Sequence, residues 1–239
     1  MVAIAFSELI QIFRNRLVLV TSLLMPAAVS AFFVSYHEDI AEQASLGYIA
    51  AVVLFVVAAI GLYTSAVTTL ASRRQNLFLK RLRSTAAGDT GILTGLLLPV
   101  VAMALLQVTV MLAVLAGVAG GPANAPLLAV AVLATTAMMT ALGLATAGLT
   151  NSPEHAQVTT LPVTLATLSA ASWVGMTGTA ELTQVKRLLP GGAATELVLN
   201  AWDGGATVAE SLRLLVPTLG WVVLSVWLAT RFFRWEPRR

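Results

Sequence analysis

The sequence predicts an all-α integral membrane protein with six transmembrane helices, and three observations carry that prediction. Of its 239 residues 58% are hydrophobic and only 10% are charged, with a mean hydropathy of +0.87; soluble domains carry about 25% charged residues to cover a wetted surface. From Thr90 to Pro153 no charged side chain occurs, a length that holds two bilayer spans and the turn between them. Eleven of the fourteen basic residues fall on one side of the membrane when both termini lie there, and an excess of Lys and Arg marks the cytoplasmic side. A net charge of +3 and a pI near 9.8 raise the question of nucleic acid. The basic residues sit at the ends of apolar runs and form no separate basic domain, so no nucleic-acid partner is expected. Without Cys the chain has no disulfide framework and no thiolate metal site.

In chain order, Phe6, Leu9, Ile10, Phe13 and Leu17 recur at helical spacing, with Glu8, Gln11 and Asn15 opposite. This predicts an amphipathic helix over 3–16, suited to the interface plane; an irregular start to the first span is the competing reading. Residues 17–33, flanked by Arg14 and Arg16 and containing Pro26, are the first span. The run is short for a bilayer that needs about 20 residues, so Tyr36 and local thinning must help. A cleavable signal peptide competes here, because Ala28-Val-Ser-Ala31 offers small residues after a basic flank. The acidic turn with His37, Glu38, Asp39 and Glu42 reads as an outside loop, and residues 47–71 as the second span.

Gly120-Gly-Pro122 through Pro126 supply the breakers between a third span at 91–118, with Pro99 inside, and a fourth at 127–149. Asn151-Ser-Pro-Glu154 is a helix-start signal: a capping side chain, a proline in the first turn and an acid near the positive end of the helix dipole. It opens a fifth span over 153–176. Residues 177–211 follow outside the membrane, with short helices at 182–189 and 194–202 broken by Pro190-Gly-Gly192 and set on the outer face of the bundle. The sixth span, 212–233, contains Pro217 and leads into a basic tail that stays inside.

The organising stretch is 72–85, between the second and third spans. It carries Arg73, Arg74, Lys80, Arg81 and Arg83, with Gln75 and Asn76 in the turn, while Phe78, Leu79 and Leu82 gather one small apolar face at helical spacing. This predicts an amphipathic helix along the membrane surface. It serves either as a positive-inside anchor or as a platform for a cytoplasmic protein.

From Arg73 to Thr85 the segment resembles the first cytoplasmic loop of ABC-2 type permeases, the membrane subunits of bacterial ABC transporters. That family often carries an acid and a glycine where this chain has Gln75 and Leu77. The Asn-Ser-x-Glu-x-Ala-Gln pattern at 151–157 is similar to the family's second cytoplasmic turn. Arg187-Leu-Leu-Pro190 followed by Glu196 resembles its element between the fifth and sixth spans. The resemblance implies one transmembrane domain over 1–239 in the bacterial cytoplasmic membrane. The basic loop would be a coupling helix, 3–16 an elbow helix, and the short helices between spans five and six extracellular. It also implies a homodimer or a heterodimer with a related permease, docked on two P-loop ATPase subunits that carry ATP and Mg2+. The coupling residues would include Asn151 and Glu154 as well as the basic loop, and the elbow Phe6, Glu8, Leu9, Phe13 and Arg14.

The chain's own chemistry fits a non-catalytic subunit. Its two lysines, Lys80 and Lys186, follow no phosphate-binding glycine pattern, and its two histidines, His37 and His155, form no zinc motif. No span carries a central acid or base, which argues against proton- or ion-driven transport. Thr160, Thr164 and Thr167 make a hydroxyl stripe on the fifth span, read either as a substrate path or as helix packing; Gly143 and Ala147 form a small-xxx-small pair. The expected function is ATP-driven export of a hydrophobic or amphiphilic substrate, drug, antibiotic or lipid-like, with multidrug efflux and antibiotic resistance among the possible settings. A membrane sensor or scaffold that recruits a partner through the basic loop is the alternative, and no cofactor is expected in this chain.

Overall fold

A computed structural model describes residues 2–14, 16–84, 88–233 and 235–236, with the side chains at 2, 3, 12, 13, 17, 18 and 21 outside the described set. Every regular element among them is helical. Helix α1 is Val2–Arg14. Helix α2 runs from Arg16–Leu19 through a π turn at Val20–Leu24 into Met25–Ser35. Helix α3 (His37–Ala41) lies in the acidic turn, and α4 spans Leu46–Gln75 with a second π turn at Val57–Tyr63. Then follow α5 (Phe78–Arg83), α6 (Asp89–Ala119), α7 (Ala125–Leu149), α8 (Pro153–Thr177), α9 (Thr183–Leu188), α10 (Gly192–Trp202) and α11 (Val208–Phe232).

Five of these, α4, α6, α7, α8 and α11, are long and apolar enough to cross a membrane. The first span expected at 17–33 is a shorter apolar helix, Ser22–Ser35. Pro26 explains its interruption. Proline lacks an N–H, and its ring collides with the carbonyl four residues back, at Ser22; the turn opens so that the Met25 N–H bonds Val20 instead. Prolines also follow the breaks in α8 and α11. Thr160 interrupts α8 just before Pro162, and Leu214 interrupts α11 just before Pro217, whereas α6 continues through Pro99.

The expected helix ends are present in side-chain detail. Ser152 accepts from the His155 N–H at 3.2 Å to open α8, and Asn124 accepts from the Leu127 N–H at 3.0 Å to open α7. Helix α11 begins four residues before the expected 212, because Thr207 and Glu210 form a reciprocal capping box that starts it at Val208.

Helix α4 is the centre, packed against α2, α6, α7, α8 and α10, while α11 lies along α7 and α1 along α6. Small residues permit these approaches. A Cβ on Gly143 of α7 would stand 3.1 Å from the Ala66 Cβ of α4, so that pair is helix packing. Polar side chains add ties across the apolar interior. Tyr63 and Thr146 share a hydrogen bond of 2.9 Å between α4 and α7, and the Gln107 amide of α6 donates at 3.0 Å to the Leu23 carbonyl in the π turn of α2.

Helices α9 and α10 occur near the positions expected for the two short helices. Helix α10 goes deeper than its outer-face placement implied: Ala193, Ala194, Leu197, Val198 and Ala201 are at most 2% exposed among α4, α7 and α8. Its small side chains let it sit between longer helices. Asp203, just after it, caps the start of α4 by accepting from the Gly47 N–H at 2.8 Å and the Ser45 hydroxyl at 2.6 Å.

Candidate functional site at the basic end of the bundle

Asp203 fixes the start of α4, and α5 follows the end of α4, so the two lie at opposite ends of the bundle. At the α5 end the chain leaves α4 through Asn76 and Leu77, whose N–H groups bond the carbonyls of Ser72 and Arg74 at 3.1 and 3.0 Å. Leu77 has φ of 57°, the left-handed conformation that glycine adopts without penalty and other residues at about 1 kcal/mol or more. The glycine common at this position in the resembling loops meets that backbone requirement; here a half-exposed leucine meets it under strain.

Helix α5 then lies on the bundle with Leu79 fully buried and Phe78 and Leu82 partly so. The cations divide into internal ties and outward groups. Arg73 donates to Glu8 of α1 at 2.7 Å and to Gln11, and stands over the Phe78 ring at 5.5 Å. Glu8 is 2% exposed, so the side of α1 that periodicity set against water turns onto α4, while Phe6 and Ile10 face outward. Leu9 is half-buried and Arg14 exposed; the side chain of Phe13 lies outside the described residues. Arg74, 3% exposed, donates at 3.0 Å to the Ala147 carbonyl and also to that of Thr150, closing the end of α7 onto α4. A cation there meets the negative end of the helix dipole and carbonyls of the last turn, of which Ala147 otherwise receives only a long 3.4 Å bond from the Thr150 N–H.

Gln75, Asn76, Lys80, Arg81 and Arg83 face outward. Arg83 pairs with Asp89 at 3.1 Å and stands 5.0 Å over Trp235, and Lys80 pairs with Glu236 at 2.9 Å. The tail thereby packs on α5, a contact that sequence reasoning missed because nothing local announces it. Among the described residues Arg81 reaches the Asn76 carbonyl of its own turn, at 3.4 Å. Asn151 and Glu154, both exposed, open α8 beside the end of α4, one residue beyond the Thr150 carbonyl that Arg74 holds. The structure therefore brings α1, α5, the start of α8 and the tail to one end, with an exposed face of mixed polar and basic groups.

Thr160, Thr164 and Thr167 are 3%, 9% and 0% exposed. The hydroxyls of Thr160 and Thr167 return to their own helix at 2.7 and 2.8 Å. All three turn into helix contacts.

Two further constellations lie toward the opposite end. Arg187 and Glu196, each noted in the sequence, form a two-pronged ion pair at 2.7 and 2.6 Å, with Thr179 donating to the same carboxylate at 2.9 Å. These bonds raise the Arg187 pKa above its ordinary value. Lys186 is buried and donates to Thr177 and the Gly178 carbonyl at 2.8 and 2.7 Å, closing the end of α8.

A multi-pass helical membrane protein with a polar, basic platform at one end of its bundle is the class that fold and site define. The chain matches the family described as ABC-2 family transporter protein over residues 25–231, and it belongs to that family. It is thus a membrane subunit of an ABC transporter. No curated protein matches it.

Proposed function

We propose that the chain is the permease subunit of an ATP-driven exporter, with α5 as the coupling helix that receives a separate ATPase subunit. The observation that carries this reading is the division of labour in the basic stretch. Leu79 seats α5 on the bundle, and Arg73 and Arg74 tie the end of α4 from which it departs to α1 and α7, while Gln75, Asn76 and Arg81 present an exposed basic and polar face. A topological anchor needs charge alone; a helix that transmits movement needs rigid attachment on one side and a free face on the other. Family membership supports the transporter over a sensor or scaffold.

In this reading the Ser22–Ser35 helix completes six spans, both termini and α5 face the cytoplasm of a bacterium, and α1 is the elbow. Two permease chains, identical or related, dock two P-loop ATPases that carry ATP and Mg2+. The apolar helices favour a hydrophobic or amphiphilic cargo such as a drug, antibiotic or lipid-like molecule, which would place the protein in multidrug efflux or antibiotic resistance. Nucleotide-driven closure of the ATPases moves α5, and Arg74 carries that movement directly to α7 and the start of α8.

The test is co-purification from native membranes with Arg81→Glu. Arg81 is chosen because its reversal breaks no ion pair among the described residues, whereas Arg83→Glu would also break the Asp89 pair. A P-loop ATPase should accompany the wild type and be lost from the variant at equal membrane level. An ATPase retained fully by Arg81→Glu, or none with the wild type under gentle extraction, overturns the reading.

A further inference from the structure

A cavity of about 510 Å³ opens between α9, α10 and the start of α11, at the end of the bundle opposite α5. Its volume lies within the range of small-molecule sites, about 300 to 1,000 Å³. Its wall carries charges of both signs, Arg187 and Arg213 against Glu196 and Glu210, which sum to zero.

These charges are unequally committed. Arg187 and Glu196 satisfy each other through the two-pronged pair. Glu210 uses one oxygen, Oε2, for the Thr207 N–H and hydroxyl at 3.1 and 2.8 Å, which leaves Oε1 for a ligand. Arg213 is exposed and donates no hydrogen bond among the described residues. Residues three apart share one helix face at about 5–6 Å between Cβ atoms. Glu210 and Arg213 thus present an acceptor and a donor at a spacing that a phosphate and an ammonium joined by two carbons can bridge.

Below the cavity the surface of α11 is apolar. Val216, Leu219 and Val223 are 73%, 47% and 69% exposed and recur at helical spacing. Gly220 lies among them, and a Cβ there would meet nothing within 4 Å. The missing side chain lowers the ridge into a shallow furrow that leads down from the charged cavity along a membrane-crossing helix.

A headgroup site of net zero charge above an apolar furrow suits an amphiphile. We propose that this cavity binds one zwitterionic phospholipid, with its phosphate on Arg213, its ammonium on Glu210 and an acyl chain along the α11 furrow. The site is separate from α5 and does not rest on the export reading.

The test is native mass spectrometry of the delipidated full chain in detergent, titrated with phosphatidylethanolamine, phosphatidylglycerol and soluble glycerophosphoethanolamine. Phosphatidylethanolamine should bind about tenfold more tightly than phosphatidylglycerol, and the soluble headgroup should not be retained. Arg213→Gln should weaken phosphatidylethanolamine roughly tenfold, the effect of one charge-assisted hydrogen bond. Glu210→Gln keeps the capping box, which accepts Gln, and should remove the preference by raising phosphatidylglycerol binding, a gain that misfolding cannot produce. Gly220→Leu should weaken both lipids by filling the furrow. Equal binding of the two lipids by the wild type, retention of the soluble headgroup, or an unchanged preference in Glu210→Gln overturns the assignment.

Discussion

Arg74→Ala is the substitution that tests most directly how the basic end is held together. The guanidinium is 3% exposed and bonds the carbonyls of Ala147 and Thr150 at the end of α7. A hydrogen bond to a charged group contributes about 1.5–3 kcal/mol, and a buried carbonyl left without a partner costs about 1–3 kcal/mol. Two such bonds, offset in part by the desolvation of the guanidinium, set the loss at about 3 kcal/mol or more. For a chain of this size that is a fall in melting temperature of roughly 6–12 °C. Thermal unfolding in detergent, followed by the loss of the monodisperse size-exclusion peak, reads it directly. Arg74→Lys keeps the charge but has one compact ammonium where the planar fork spans two carbonyls, so about half of the loss should remain. Arg74→Met separates the volume from the bonds and should resemble Arg74→Ala. A melting temperature for Arg74→Ala within about 2 °C of the wild type would refute the claim that this side chain joins α4 to α7.

Other expectations follow from the packing and the caps. Asp203→Ala removes the carboxylate that holds the Gly47 N–H and the Ser45 hydroxyl; it should cost about 1–2 kcal/mol and lower the melting temperature by roughly 2–8 °C, with Asp203→Asn milder. Gly143→Leu drives a side chain into the Ala66 Cβ, 3.1 Å from the first added carbon. It should destabilise by about 1–3 kcal/mol and speed proteolysis, while Gly117→Leu, where a Cβ meets nothing within 4 Å, should leave both unchanged.

The helices were legible where local chemistry marks their ends. Ser152 before Pro153, the Gly120 to Pro126 breakers and the charge-free run between them need only neighbouring residues, and α6, α7 and α8 lie within a few residues of expectation. The basic stretch was legible as an amphipathic helix because Phe78, Leu79 and Leu82 fall on one face. Its internal wiring was not, because Glu8 with Arg73, Arg74 with Thr150 and Lys80 with Glu236 join residues far apart in the chain. Periodicity also reads a polar face as wet, yet Glu8 is buried since its partner lies on another helix. Helix α10 is expected on the outer face because it falls in the stretch between two spans; its alanines are small enough to nest beside α4, and it lies deeper. The π turn in α2 carries the signal of Pro26; the one in α4 has no proline, and there the Thr64 hydroxyl donates to the Ile60 carbonyl.

The central position of α4 has a consequence for how the protein meets bilayers of different thickness. At 30 residues this helix is about 45 Å long, well beyond the roughly 30 Å of a hydrocarbon core. Such an excess normally forces tilt or local thickening of the lipid. Here 89% of the apolar window of α4 is enclosed by protein, against 28% for α8 and 22% for α11. Lipid therefore exerts little hydrophobic mismatch on the helix that leads to α5. A thinner or thicker membrane acts on the flanks formed by α8 and α11, while the distance between the Asp203 cap and the Arg74 clamp is set by protein packing alone.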